Sequence, residues 1–371
     1  MKLIVKTLHG AEKLLSKELA SLGATDVQAQ RRAVTCQADK KTMYKINLWS
    51  RFALRVLVPV VEFQAKDDKE LYSHIHKYSW HHVISPERSI MIDHVSFSTL
   101  FPNSQFLAQK AKDAIVDKIR DKKGSRPYVE FNNPDILLNI HATDDSISVS
   151  LDASGMSLNR RCYRDVQLPS ATNEVLAATL VEMSGWTPSD VLIDPMCGSG
   201  TICIEAAMKA RNIAPNLYRN VPFGFQNWLD YEPQMWESLV EEAKASINNV
   251  RLNIIGSDIN SEALDIAKTS TLYLGLNPDV RIMRKAYREQ ERTTQSGIVI
   301  TCPPFNATET SRDLNDMYQE IAHFLSQNYP DHDVWIYSTN IQALKSIQFK
   351  AQTRHEIYNG SNEGNFNMYP F

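Results

Sequence analysis

The sequence predicts an α/β fold in which a mixed α+β amino-terminal part precedes a doubly wound parallel sheet. Two observations carry this. From Ala171 onward, helical stretches alternate with short β-branched runs, the pattern of parallel strands joined by helices. Before Ala171 the segments follow no such alternation, and a pair of strand-like runs reads as a hairpin.

The opening predicts a strand over Leu3–Thr7 and then a helix, because Ala11, Leu14, Leu15, Leu19 and Leu22 share one face and Gly23 supplies the stop. Alternating segments near Val27–Gln37 and Phe52–Phe63 predict further strands. A second unit begins after Lys66. It holds a helix over Gln105–Arg120, followed by Gly124, Arg126 and Pro127, and a hairpin of Ile136–His141 and Ser146–Leu151 that turns at Asp144 and Asp145. The later strands are expected at Val191–Ile193, Ile254–Ser257, Val280–Met283, Ile298–Thr301 and Val334–Tyr337. From Arg354 to Phe371 no helical period is present, so two short strands joined through Asn359, Gly360 and Ser361 are expected.

A chain of 371 residues exceeds the size at which single cores stop growing, and two or three domains are expected. With 43% hydrophobic and 22% charged residues and no repeat or low-complexity tract, the class is ordinary globular. The first apolar run is short and no later one approaches the ~18 residues of a membrane span, so a cytoplasmic location without a membrane partner is expected. Five cysteines, at 36, 162, 197, 203 and 302, form no CxxC pair, which argues against disulfides and structural zinc. The net charge of -3 conceals an asymmetry: residues 1–169 carry 25 Lys+Arg against 19 Asp+Glu, whereas residues 170–371 carry 15 against 24. A basic half joined to an acidic one points to a polyanionic partner for the first.

The strongest local signal is Asp194-Pro195-Met196-Cys197-Gly198-Ser199-Gly200-Thr201, between an apolar strand and a helical run. Glycines at 198 and 200 let the backbone turn tightly beside a ligand, and the helix that follows offers free amides. Cys203 stands where a dinucleotide fingerprint would have glycine or alanine, and no Gly-Lys-Ser/Thr is present for a Walker loop. An aspartate four residues before the first glycine resembles the methionine-end loop of class I methyltransferases; the competing reading is a glycine-rich turn of an unrelated α/β protein. Asp258, at the end of the next strand, can accept hydrogen bonds from two ribose hydroxyls, and an aspartate there also suits a helix N-cap.

The third signal, Cys302-Pro303-Pro304-Phe305, follows a buried-type strand. It looks like the Asn/Asp-Pro-Pro-Tyr/Phe motif of enzymes that methylate exocyclic amines of nucleobases. There the first side chain and a proline carbonyl accept from the amine while the aromatic ring stacks on the base. Taken alone, Pro-Pro could simply terminate a strand.

With these sites in chain order, the whole sequence resembles THUMP-domain class I S-adenosylmethionine-dependent RNA methyltransferases. It is similar to the bacterial members that modify a guanine 2-amino group in large-subunit rRNA and are often labelled adenine-specific DNA methylases. Matching stretches include Thr7–Leu15, Gln109–Asp117, Leu151–Arg164, Asn173–Ala178, Gly185-Trp186, Asn212–Arg219 and Asn359–Tyr369. The resemblance implies a ferredoxin-like lead domain over 1–60, a THUMP RNA-binding domain over 61–155 and a Rossmann-like methyltransferase domain over 156–371. It implies that Glu174, Asp194, Pro195, Met196, Cys197, Gly198, Gly200, Thr201, Asp258 and Ile259 meet S-adenosylmethionine, and that Cys302, Pro303, Pro304 and Phe305 hold the base. Structured RNA, ribosomal first, is the implied partner, with Arg126, Arg160, Arg161 and Arg164 as its first candidate contacts.

The departures from the family pattern sit at the base-holding end. Cys302 replaces Asn, Phe305 replaces Tyr, and Asn306-Ala307-Thr308 stands in place of Gly-Glu-Arg. Arg284-Lys285-Ala286 replaces an acid at the third strand end, and Asn159 and Cys162 replace a His and a Gly. Two functions stay open: transfer of a methyl group to a guanine amine, with an adenine amine or tRNA as other acceptors, and a noncatalytic RNA-binding or ribosome-assembly role that keeps the donor pocket. His74, His76, His81 and His82 lack a Cys or carboxylate at a metal-site spacing, and no metal is expected. The lysines and arginine at 110, 112, 118, 120, 122 and 123 face RNA or are the solvated side of a helix.

Overall fold

The computed structural model describes the chain apart from residues 165, 167, 169, 170, 292–295 and 305–310 and the side chains of 311–313. The amino-terminal part runs β1 (Lys2–Lys6), α1 (Glu12–Ser21), β2 (Thr25–Gln30), β3 (Ala33–Gln37), α2 (Lys40–Trp49), β4 (Arg55–Gln64), α3 (Asp68–Lys77), β5 (Ile90–Phe97), α4 (Ser104–Lys123), β6 (Ile136–Thr143) and β7 (Ser146–Asp152). These strands form one sheet in the order β2-β3-β1-β4-β7-β6-β5. Strand β4 joins the two units: its first residues pair with β1 and the rest with β7. Pro59, which cannot donate to a ladder, sits where the β4–β7 register shifts.

The expected hairpin turns at Asp144, which takes φ 52, and α4 ends at Gly124 with φ 75. Helices α2 and α3 were not anticipated. Each starts at an aspartate whose carboxylate accepts from the first turn, Asp39 from the Thr42 amide at 2.7 Å and Asp67 from the Glu70 amide at 2.8 Å. Both capping aspartates are legible in the sequence.

The carboxy-terminal part runs α5 (Glu174–Met183), β8 (Val191–Asp194), α6 (Thr201–Ala210), α7 (Pro233–Ala245), β9 (Ile254–Asp258), α8 (Ser261–Tyr273), β10 (Val280–Arg284), β11 (Gly297–Thr301), α9 (Ser311–Asn328), β12 (His332–Ser338), α10 (Ile341–Ser346), β13 (Thr353–Glu356) and β14 (Asn365–Pro370). Its sheet has the order β10-β9-β8-β11-β12-β14-β13, parallel from β10 through β12, with the expected carboxy-terminal pair antiparallel at one edge. Strand β8 is buried along its whole length because both faces are covered. Leu192 packs with α5 and α6, whereas Val191 and Ile193 pack with α9 and α10. The chain leaves β8 towards β9 on one side and returns as β11 on the other, so the carboxyl ends of β8 and β11 flank a topological switch point, where open α/β sheets bind ligands.

The two parts share a core. Tyr44 of α2 stacks on Phe225 with centroids 4.2 Å apart, and the Asn216 amide donates to the Asn47 carbonyl at 2.9 Å.

Candidate active site

At the switch point lies a cavity of about 580 Å3 whose lining includes Met196, Cys197 and Gly198 after β8, Asp258 and Ile259 after β9, Lys285 and Tyr287 after β10, and Cys302, Pro303 and Pro304 after β11. The two sequence signals of the loops after β8 and β11, more than 100 residues apart in the chain, thus open into one space.

The glycine loop is held by backbone bonds that its residue types permit. Gly198 and Gly200 take φ 51 and 73, and a Cβ on Gly200 would come within 3.0 Å of the Ala267 Cβ. The Cys197 amide donates to the Ser257 carbonyl at 2.9 Å, which ties the loop to β9. Asp258 completes the tie: one carboxylate oxygen accepts from the Gly198 amide at 2.8 Å, the other from the Asn260 amide at 2.9 Å. An ionised carboxylate has about four acceptor sites, so capacity remains for ligand hydroxyls. Asn260, rather than Asp258, supplies the N-cap of α8.

Several expected cofactor residues stand behind this surface. Asp194 is 2% exposed; its carboxylate accepts from the Met196 amide at 3.2 Å, and burial pushes its pKa up to about 7. Thr201 is buried with its hydroxyl 3.0 Å from Arg164 Nη1, and Glu174 is buried in an ion pair with Arg164.

This corrects the expectation that Arg161 and Arg164 present their charge to RNA. Arg161 is 1% exposed, with Nε 3.6 Å from Glu205 Oε1 and its other nitrogens donating to main-chain carbonyls. The Arg164 guanidinium is equally withdrawn. Both partners, Glu205 and Glu174, lie on helices that begin later in the chain, which is why charge counting could not find them. Arg126 and Arg160 are exposed. Cys162, between the two buried arginines' segments, takes φ 63, a conformation that favours the glycine of the family pattern.

Cys302 is partly exposed, and its buried surroundings push the thiol pKa upward, so the sulfur is an uncharged, weak acceptor. The Pro304 carbonyl accepts from the Tyr318 hydroxyl at 3.3 Å, and that hydroxyl also bonds Ser338 Oγ at 2.7 Å. Tyr318 and Ser338 thereby brace the segment after β11; neither was flagged by the sequence reading. Phe305 lies outside the described residues. Leu168, Thr172, Tyr287, Met317 and Ile321 also line the cavity and carried no local motif; Lys285, from the segment that replaces the family's acid after β10, lines it too.

The histidines weighed above are used locally: His74 stacks on Phe63 and His76 on Tyr72. Among the described residues no three His, Cys, Asp or Glu side chains gather as a metal site, and no helix is long and apolar enough to cross a membrane.

Comparison with known proteins gives three family matches in chain order: an RlmL ferredoxin-like domain over residues 2–57, a THUMP domain over 65–152 and an RMKL-like methyltransferase domain over 161–366. The chain is 33% identical over 354 residues to slr0064 of Synechocystis sp., a candidate RNA methyltransferase, covering 95% of this chain and 92% of that one. It is 32% identical over 376 residues to the ribosomal RNA large subunit methyltransferase K/L of Syntrophotalea carbinolica, covering 98% of this chain and 52% of the relative. The chain therefore spans about half the length of the K/L relatives it matches. Among solved structures, SMU.472 complexed with SAH superposes with a TM-score of 0.88 at 26% identity, over 99% of this chain and 97% of that chain. A Listeria monocytogenes chain named a predicted N6-adenine-specific DNA methylase gives the same TM-score and identity over 99% and 95% of the two chains.

Proposed function

Because the chain belongs to the RMKL-like methyltransferase family and carries that family's ferredoxin-like and THUMP units, we propose that it is an S-adenosylmethionine-dependent RNA methyltransferase acting on the 2-amino group of a guanosine in 23S rRNA. One observation supports this most directly: the glycine loop and the Cys302-Pro303-Pro304 segment open into the same cavity. Its volume lies in the range of about 300–1,000 Å3 usual for cofactor sites. Apolar walls, loop amides and the Asp258 carboxylate suit a donor with a nucleoside at one end and an amino acid at the other. In this reading residues 1–60 and 61–155 bring the RNA, and a ribosomal substrate places the protein in the cytoplasm.

The donor supplies an electrophilic methyl group on a sulfonium. The protein's own part is orientation and electrostatics, and no strong base is required. Met196, Cys197 and Gly198 hold one end, and Asp258 accepts from the ribose hydroxyls. The Pro303 carbonyl would accept from the target amine and leave its lone pair free to take the methyl group as the sulfonium C–S bond breaks; S-adenosylhomocysteine would leave and the surplus amine proton would pass to solvent. Cys302 assists less than the family's Asn would, because sulfur is the weaker acceptor.

The test is methyl transfer from labelled S-adenosylmethionine to RNA from a strain lacking the gene, followed by mass spectrometry of the nucleosides. N2-methylguanosine is the expected product. A methylated adenine would move the acceptor to that base.

A noncatalytic RNA-binding or ribosome-assembly role is the second reading. One observation favours it: sulfur at 302, a weaker acceptor than the family's Asn. Donor and RNA both bound without any product would select it.

A further inference from the structure

Three arginines from outside the helix run along α6, whose amino end follows the glycine loop. At its start Arg164 Nη1 donates to Ser199 Oγ at 2.8 Å and Thr201 Oγ1 at 3.0 Å, while Nη2 pairs with Glu174. Midway, Arg161 lies against Glu205 and donates to the carbonyls of Leu158 and Arg51, both at 2.7 Å. At the far end Arg51 Nη2 donates to the Ile213 carbonyl at 2.9 Å.

The two ends differ in electrostatic sense. A cation suits the carboxyl end of a helix, where Arg51 sits, and opposes the macrodipole at the amino end, where Arg164 sits. Burial there is tolerated because Glu174 neutralises the guanidinium. What Arg164 gains is geometric: its planar fork reaches two hydroxyls and a carboxylate at once. Ser199 lines the cavity and Thr201 does not, so the fork connects the ligand-facing turn to a buried anchor.

We propose that Arg164 is a positioning residue for the methyl donor, holding Ser199 and Thr201 so that the glycine loop keeps its donor-binding shape. This rests on the reading of that loop as the donor site. Arg164 itself is placed too deep to be assigned to RNA.

The test uses the full chain. Wild type, Arg164→Ala and Arg164→Lys are compared by calorimetry with S-adenosylhomocysteine and by thermal unfolding without ligand. Arg164→Ala is expected to weaken binding about tenfold or more, with Arg164→Lys recovering part of the loss, since lysine keeps the charge beside Glu174 but cannot span both hydroxyls. A purely structural role would lower the unfolding temperature and leave the affinity of the folded protein unchanged, which overturns the proposal. If Arg164→Ala does not fold, Thr201→Val removes one gripped hydroxyl and keeps the ion pair: weaker binding supports the proposal, and wild-type affinity overturns it. No binding by wild type would sink the donor-site reading together with the proposal; binding that is insensitive to all three variants sinks the proposal alone.

Discussion

Asp258 and Gly198 are joined across the switch point: the carboxylate at the end of β9 accepts from the loop amide at 2.8 Å, 60 residues away in the chain. One side chain therefore both shapes the glycine loop and faces the cavity. Asp258→Ala should weaken S-adenosylmethionine binding by ~1.5–3 kcal/mol, the usual worth of a hydrogen bond to a charged acceptor. Calorimetry decides it, and unchanged affinity would remove Asp258 from the site.

Asp194 makes stability depend on pH. Burial raises its pKa from 3.8 to about 7, so the folded protein binds more protons than the unfolded chain between those values. Its contribution is fully present at acid pH and is lost as pH rises through about 7. In urea denaturation, Asp194→Asn should lessen this fall and exceed wild type at pH 8 by on the order of 1 kcal/mol or more. Parallel curves for the two proteins would show that the carboxyl is already ionised when folded.

Cys302→Asn should raise methyl transfer, because an amide oxygen accepts from the target amine where a neutral thiol accepts poorly. Phe305→Ala should slow transfer by about 5- to 150-fold, the equivalent of ~1–3 kcal/mol of lost stacking, as the motif implies. Faster transfer by wild type than by Cys302→Asn would mean that the segment after β11 works through other contacts.

The exposed and buried arginines should separate in RNA binding. Arg126→Ala and Arg160→Ala are expected to weaken RNA binding and to lower the slope of log affinity against log salt by about one each. Arg161→Ala should instead destabilise the fold by ~3–5 kcal/mol, because it removes the ion-pair partner of the buried Glu205 carboxylate and leaves it the Tyr163 hydroxyl. Gel-shift titrations at several salt concentrations, read beside denaturant unfolding, distinguish the two. An Arg161→Ala protein of normal stability with a reduced salt slope would return that residue to the RNA surface.

Local structure was legible where it depends on near neighbours. The alternation after Ala171 places the parallel strands within a residue or two at each end, and the Asp144 turn and the closing antiparallel pair lie where the residue types require them. The glycine loop, Asp258 and the Cys302-Pro303-Pro304 segment could be recognised because tight turns and strand ends have their own residue chemistry. What the chain by itself did not determine is which way a side chain looks. Arg161 and Arg164 carry the same signal as the exposed Arg126 until α5 and α6 bring Glu174 and Glu205 against them. Lys285, Tyr287 and Tyr318 likewise come to the site only because β10 and α9 pack around the switch point. Periodicity and turn chemistry act over a few residues, whereas burial and ion pairing are settled by partners tens of residues away, and those are decided only when the sheet assembles.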